Sequence, residues 1–369
     1  MPVQRIALFA VFLSIFSWMP AVTADASACT GMRVVAKDGS VAWARSLEFG
    51  SDIGSALMVA QRGMQWTSGA PDKAQGLRWT AKHAFVGPTA WGLPLPIEGM
   101  NEKGLYAGGF WMTEGESEFP DVQPTDYPRT VAQMYFVPWV LTNFATVDEI
   151  KAALPGITIA GLRVEALRTV PLAHWYVMDA TGKAAVIESI DGKVTIRDNP
   201  VGVFTNAPSF GWHLTNLRQY MNLNPDNVKS AKLGGYEVRP LGEGTGLLGL
   251  PGDFTPPSRF VRAAVLANSA LQPDDADGAV NLGMNLIAGF AIAKGVSRGV
   301  GADGKPEYDY TQWTTVYDLA RKGLYVRTYE NQNYRLVRFD KLPLDGGKIL
   351  TIPMDKRFGP YEDISGQAH

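Results

Sequence analysis

Ala26-Ser27-Ala28-Cys29-Thr30-Gly31-Met32 is the stretch from which the rest of the chain is read. Ala26-Ser27-Ala28 is a small-residue A-x-A cleavage site, and Cys29 directly after it is the only cysteine among 369 residues. Ahead of it, Arg5 gives a positive start, Ile6 to Trp18 form an apolar and small-residue run, and Pro20 ends that run. This is the pattern of an export signal. The run is shorter than the roughly 18–20 apolar residues of a transmembrane helix, and no other segment reaches that length. An exported protein, periplasmic or secreted and without a membrane span, is therefore expected. Val22-Thr23-Ala24 is a second acceptable cleavage site, and cutting there would leave a propeptide, residues 25–28, for later removal. By either route residues 29–369 would begin with a residue that carries both a thiol and a free α-amine, a nucleophile with its own base.

Residues 29–369 contain no Pro/Ser linker, charge run or low-complexity stretch, so they are expected to fold as one domain around a layered core. Thirty-four Lys and Arg against 36 Asp and Glu leave a net charge of −2. That balance argues against a nucleic-acid surface or a polybasic membrane anchor and points to a small-molecule ligand. The 10 tryptophans and 16 phenylalanines supply apolar, partly rigid walls. A lone thiol in an exported chain forms no internal disulfide; it is free, lipidated, intermolecular or catalytic.

Downstream of Cys29, residues 30–36 and 41–49 are β-rich runs flanking Lys37-Asp38-Gly39-Ser40, and Asp-Gly between such runs signals a hairpin. A two-residue turn at Asp38-Gly39 pairs Lys37 with Ser40 and sets Cys29 opposite Glu48. Arg45 and Glu48, three apart, face opposite sides of a regular strand, so both reaching Cys29 requires a bulge or bend between them. Residues 128–144 have helical periodicity with Pro138 as a kink, and Thr146-Val147-Asp148-Glu149 is a capping box opening a helix through Leu154. Residues 174–196 read as a meander with turns at 179–182 and Asp191-Gly192, residues 201–205 as a strand, and Thr255-Pro256-Pro257 as the start of a helix to about Leu271. Strand runs separated by helical runs predict an α+β fold with helices packed outside the sheets.

Five blocks carry a family resemblance: Cys29-Thr30-Gly31-Met32; Ala44-Arg45-Ser46-Leu47-Glu48-Phe49; Gly99-Met100-Asn101-Glu102-Lys103-Gly104-Leu105; Phe204-Thr205-Asn206-Ala207-Pro208; and residues 250–260, Leu250 to Phe260. In order and spacing they resemble the choloylglycine hydrolase and penicillin V acylase family, linear-amide hydrolases of the N-terminal-nucleophile superfamily, over essentially the whole of 29–369. The resemblance implies a four-layer αββα sandwich, frequently a homotetramer, and a small-molecule amide substrate. It implies Cys29 as nucleophile, Arg45 and Arg259 as nearby guanidinium groups, and Glu48 as the acid that holds the nucleophile's amine, where many members have aspartate. It further implies that the Asn206 side-chain amide helps form the oxyanion hole and that the backbone N–H near Trp111 completes it. An aromatic residue at that last position resembles the penicillin-acylase side of the family and tilts the substrate toward aryl-acyl or other apolar acyl amides.

The chemistry of these groups agrees. An α-amine has an unperturbed pKa near 7.7–8, so at neutral pH a good fraction is a competent base for the adjacent thiol. Two arginines favour the thiolate and a carboxylate opposes them while orienting the amine. The thiolate attacks the amide carbonyl, the amine returns the proton to the leaving nitrogen, and water cleaves the thioester. Penicillin V, conjugated bile acids and acyl-homoserine lactones are the substrates to consider. The alternative is a catalytically silent ligand-binding protein, lipid-anchored through an acylated Cys29, although the usual lipobox has Leu where Ala26 stands.

Two further motifs compete by letters. Gly295-Val296-Ser297-Arg298-Gly299 fits a nucleophile elbow, but a polar loop follows it and the only downstream histidine is His369. Gly244-Thr245-Gly246-Leu247-Leu248-Gly249 fits a dinucleotide fingerprint, yet Leu250-Pro251-Gly252 follows where a helix should begin. His83, His174, His213 and His369 lack ligand spacing, so neither metal nor cofactor is expected. Residues 222–249, rich in Gly, Asn and Leu, are either an arm gripping a neighbour or a surface loop, and substrate choice lies in loops such as 61–75 and 114–127.

Overall fold

The computed structural model describes residues 28–113, 115–300 and 304–354, with Arg357 and Ser365; the leader as far as Ser27, Glu114 and His369 lie outside the described residues. Two antiparallel sheets carry the fold. The first runs, in spatial order, Val203–Phe204, Cys29–Val35, Val41–Phe49, Pro306–Asp318, Gly323–Thr328 and Arg335–Arg338, with Ser297–Val300 against the beginning of Pro306–Asp318. The second runs Lys193–Asp198, Ala184–Ile190, Ala173–Met178, Tyr106–Trp111, Glu98–Asn101, Phe85–Pro88, Ala56–Ala60 and Ile349–Pro353.

The period-2 alternation of side chains sorts the core into layers. Trp43 and Arg45 face the second sheet, Trp43 stacking on Tyr176 at 4.0 Å between ring centroids and Arg45 pairing with Glu98. On the other face of the same strand, Ala44 lies against Gly283 of the helix Ala276–Ala288. The second sheet does the same in mirror: Tyr106, Tyr176 and Val186 point into the seam, while Leu105, Ala107, Trp175, Val177 and Ile187 point outward to a separate core with Phe136, Val140 and Ile150. Helices Pro256–Ser269 and Ala276–Ala288 cover the first sheet, and Phe136–Asn143 and Val147–Ala153 the second. The result is the expected α+β sandwich of four layers, αββα. Gly31 makes the seam tight, because a Cβ there would stand 2.1 Å from the Trp43 ring.

Several local expectations hold. The Thr146 capping box forms, with Glu149 N–H on Thr146 Oγ1 at 3.2 Å and Thr146 N–H on Glu149 Oε2 at 3.3 Å. The meander appears as Ala173–Met178, Ala184–Ile190 and Lys193–Asp198, closed at Asp191-Gly192 with φ of 51° and 66°. Thr255 stands at the N-cap of Pro256–Ser269. Residues 244–249 form a loop with one 3₁₀ turn, and Ser297 heads a strand rather than an elbow.

Two expectations need correction. The hairpin loop has three residues, not two: Val35 pairs with Val41, and Ala36 N–H bonds the Ser40 carbonyl at 2.8 Å. A two-residue I′ turn needs positive φ at both central residues, but only Gly39 adopts it, at 87°, while the Asp38 carboxylate accepts the Ser40 N–H at 2.8 Å. The register moves by one, and Cys29 stands opposite Leu47 instead of Glu48. The helix expected over 128–144 begins only at Phe136; before it, Thr130–Ala132 is a strand paired in parallel with Thr158–Ala160. Pro138 lies in the first turn of the helix, where its missing N–H would have no helical partner anyway, so it does not act as a kink.

Candidate active site

Cys29 starts a strand, is 2% exposed, and turns its sulfur toward the seam between the sheets, where Arg45 Nη2 donates to Sγ at 3.4 Å. Arg45, on the neighbouring strand, is held from three sides. Its Nη1 pairs with Glu98 Oε2 at 2.8 Å, its Nη2 also donates to the Gly109 carbonyl at 2.6 Å, and its guanidinium lies 4.0 Å from the centroid of the Phe110 ring. Room for it comes from Gly108, where a Cβ would sit 2.8 Å from Arg45 Nη1.

Glu98 was not singled out from the sequence, yet it organises this corner. Fully buried, it takes Arg45 Nη1 and the Tyr106 hydroxyl (2.7 Å) on one oxygen, and the Thr315 (2.6 Å) and Tyr317 (3.0 Å) hydroxyls on the other. Its only sequence signal is its place one residue before the Gly99–Leu105 block. Burial works against the Arg45 charge, but Glu98 outweighs it and holds the guanidinium well above its ordinary value. Breaking one side of a buried ion pair typically costs about 3–5 kcal/mol. Glu98→Gln, which keeps the shape and removes the charge, is therefore expected to lower stability by about 3 kcal/mol or more, as read from urea denaturation. A change below about 1 kcal/mol would show that the pair is not what holds Arg45.

Glu48 and Arg259 occupy the other face of the first sheet. The strand Val41–Phe49 stays regular, so Glu48 points away from Arg45; the bulge lies in the neighbouring strand, between Thr311 opposite Glu48 and Trp313 opposite Leu47. Thr311 Oγ1 donates to Glu48 Oε1 at 2.8 Å. Burial raises the Glu48 carboxyl to about 7 against the pull of Arg259, and Asp309 is likewise pushed to about 7 by burial and then by the charge of Glu48. Arg259, in the first turns of Pro256–Ser269, donates through Nη1 to the Cys29 carbonyl and to Thr30 Oγ1 (2.8 Å), through Nη2 to Asn206 Oδ1 (2.9 Å), and through Nε to the Phe254 carbonyl (2.8 Å).

Asn206 links the two faces. Its Oδ1 accepts the Cys29 N–H at 2.7 Å, and its Nδ2 donates to the Trp111 carbonyl at 2.9 Å, which leaves the second amide hydrogen available. In the continuous chain it is therefore Asn206 that holds the Cys29 nitrogen. Met112 N–H bonds the Leu172 carbonyl, making residues 112 and 172 a hydrogen-bonded pair; alternation along an antiparallel strand then turns the Trp111 N–H to the opposite edge. That is the edge where Gly109 meets Ile97. The structure thus brings Cys29, Arg45, Glu48, Trp111, Asn206 and Arg259 together from distant parts of the sequence. Burial raises the Cys29 thiol above its ordinary value, with Arg45 opposing, Glu48 adding to the rise, and Arg259 opposing.

The sulfur lies on the wall of an apolar cavity between the sheets. Its walls include Phe49, Trp91, Phe110, Trp111, Met134 and Trp175, and among the described residues Arg45 is the single charged one lining it. Phe49 makes edge contacts with Trp91 at 5.6 Å and Trp111 at 6.3 Å between centroids.

Residues 29–352 match the family described as linear amide C–N hydrolases, choloylglycine hydrolase family. A bile salt hydrolase/transferase of Clostridium perfringens is 32% identical over 335 residues, covering 89% of this chain and 97% of its own. A penicillin V acylase of Pectobacterium atrosepticum is 29% identical over 290 residues, covering 74% and 70%. Among solved structures, a mutant of the conjugated bile acid hydrolase of Clostridium perfringens superposes with a TM-score of 0.80 at 31% identity, covering 90% of this chain and 99% of that one. The penicillin V acylase of Agrobacterium tumefaciens gives 0.69 at 26%, covering 88% and 90%.

Proposed function

The chain belongs to the choloylglycine hydrolase family of linear amide C–N hydrolases, and from that premise we propose that it is an exported cysteine amidohydrolase whose nucleophile becomes the first residue of the mature protein. The observation that carries this reading is the position of Cys29 Sγ, beside the Arg45 guanidinium and on the wall of an apolar cavity. In the mature enzyme the free α-amine takes the thiol proton and Arg45 stabilises the thiolate. The thiolate adds to the substrate carbonyl, and the developing oxyanion is met by the spare Asn206 amide hydrogen and the Trp111 N–H. The amine then protonates the leaving nitrogen, and water releases the acid from the thioester.

The acyl group enters a cavity walled by aromatic rings, which favours an aryl or other flat apolar acyl chain. A panel of penicillin V, glycocholate and a long-chain acyl-homoserine lactone tests this, with penicillin V expected to show the highest kcat/KM. A clear preference for glycocholate would overturn the acyl assignment. Intact mass of the exported protein distinguishes the enzyme, which begins at a free Cys29, from a lipid-anchored binder carrying a diacylglyceryl adduct. The burial of Cys29 favours the enzyme, since a lipid on its sulfur would have to run through the cavity. The hairpin of Ala231–Leu233 and Tyr236–Val238 exposes Leu233 and Tyr236, and Leu241 and Leu248 lie exposed beside it. We assign this arm to self-association, as in a homotetramer.

A further inference from the structure

The loop that carries Asn206 is held from behind by residues that the mechanism above does not use. Its carbonyls are gripped by two histidines: His174 Nε2 stands 3.0 Å from the Thr205 carbonyl, and His213 Nε2 stands 2.9 Å from the Asn206 carbonyl. At the far end of the loop, Phe210 N–H donates to Glu188 Oε1 at 2.8 Å, and that same oxygen stands 3.2 Å from His174 Nδ1. His174 and His213 are fully buried and Glu188 is 6% exposed. None of the three lines the cavity.

The partners determine the protons. A carbonyl only accepts, so His174 Nε2 carries hydrogen; the Glu188 oxygen already accepts from Phe210, so as a carboxylate it accepts from Nδ1 as well. Burial works against the Glu188 charge, but the bond and charge of His174 outweigh it and hold the carboxyl below its ordinary value. His174 thus ties the Thr205 carbonyl to the Glu188 carboxylate through its two ring nitrogens. His213 differs: its Nδ1 has no partner among the described residues, burial holds its pKa down at about 4, and its ring lies flat on Phe260 at 4.6 Å.

We propose that His174 and Glu188 are positioning residues for amide hydrolysis, a buried histidine–carboxylate clamp that fixes both ends of the Thr205–Phe210 loop and so sets where the Asn206 amide meets the reacting carbonyl. The proposal rests on Asn206 being an oxyanion donor. Such a donor works only within a few tenths of an ångström of its proper distance, and the clamp ties the residue just before Asn206 to the start of the helix Phe210–Leu217. Charge-assisted bonds of this kind are roughly twice as strong as neutral ones.

The test uses Glu188→Gln, His174→Gln and Asn206→Ala, alone and combined, with kinetics on the best substrate of the panel. Glu188→Gln is expected to lower kcat about 10- to 100-fold and leave KM within about threefold, because the clamp acts through a transition-state contact. In the Asn206→Ala background the same substitution is expected to cost nothing further, which general loosening of the fold would not reproduce. Histidine ¹⁵N spectra of the unmutated enzyme are expected to show a hydrogen on His174 Nε2, as its bond to the Thr205 carbonyl requires, a readout independent of any variant's folding. A His174 Nε2 without hydrogen, unchanged kcat in Glu188→Gln, or losses that add fully to those of Asn206→Ala would each overturn the clamp. Should Asn206→Ala itself keep its kcat, the oxyanion reading falls first; a slow Asn206→Ala beside a fast Glu188→Gln removes the clamp alone.

Discussion

Cys29→Ala is expected to lower amide hydrolysis by about 10⁴-fold or more while the protein stays folded. The scaffold does not depend on the sulfur, because Arg45 keeps Glu98 and the Gly109 carbonyl when Sγ is removed. The Cys29 carbonyl, which Arg259 holds, belongs to the backbone and survives the change. No other described residue lining the cavity is a thiol, hydroxyl or amine that could replace it as nucleophile. Cys29→Ser is expected to keep only a small remainder, since a hydroxyl is far less acidic than a thiol and Arg45 stabilises an anion that serine rarely forms. Steady-state rates on penicillin V, beside thermal melts of all three proteins, check the pair. Turnover above about one hundredth of the parent in the folded alanine variant would remove Cys29 from the chemistry.

How far the site was readable from the sequence depended on whether its parts carried local signals. Cys29 follows a cleavage pattern, the Thr146 box is a four-residue motif, and the strands around Asp191-Gly192 are bounded by their own turn; each is decided by neighbours in the chain. The hairpin register was less secure, because Asp38-Gly39 can close with two or three residues and the choice depends on whether Asp38 uses its side chain on Ser40. Thr130–Ala132 looked helical by its apolar spacing, and only pairing with Thr158–Ala160 makes it a strand. Glu98 gave no signal beyond its place beside the Gly99–Leu105 block, because Thr315 and Tyr317, which satisfy one of its oxygens, are contributed by a strand of the other sheet more than 200 residues away. His174 and His213 looked unrelated for the same reason: their shared target, the Asn206 loop, is assembled by the fold. The placement of Glu48 was half legible, since its separation from Arg45 gave the opposite face, while its partner Thr311 and the bulge beside it belong to a distant strand.

A chain that retains residues before Cys29 is expected to be inactive and to lose stability more steeply as pH rises toward neutral than one beginning at Cys29. In the continuous chain the Cys29 nitrogen is an amide, its N–H donating to Asn206 Oδ1, and it cannot take up the thiol proton. The Ala28 carbonyl is itself buried in the fold and accepts the Glu48 N–H at 2.7 Å. Trimming replaces this amide with an amine, and restoring the internal base is expected to raise kcat by about 10²- to 10⁴-fold. The same step changes the electrostatics. With no ammonium nearby, burial leaves Glu48 titrating at about 7, above its ordinary 4.5. The folded uncut chain therefore holds this proton more tightly than the unfolded one, so the contribution of Glu48 to stability is full below about 4.5 and is lost as pH rises through about 7. If Glu48 faces the new ammonium in the trimmed protein, as the family resemblance implies, that pKa is expected to fall and the loss to shrink. Two preparations distinguish the cases, one released at Cys29 and one extended by Ser27-Ala28, each verified by intact mass. Between pH 5.5 and 8 the melting temperature of the extended form is expected to fall more steeply, and only the trimmed form is expected to hydrolyse substrate. Equal turnover by a verified extended chain would mean that the α-amine is not the base, and parallel melting slopes would mean that Glu48 does not face it.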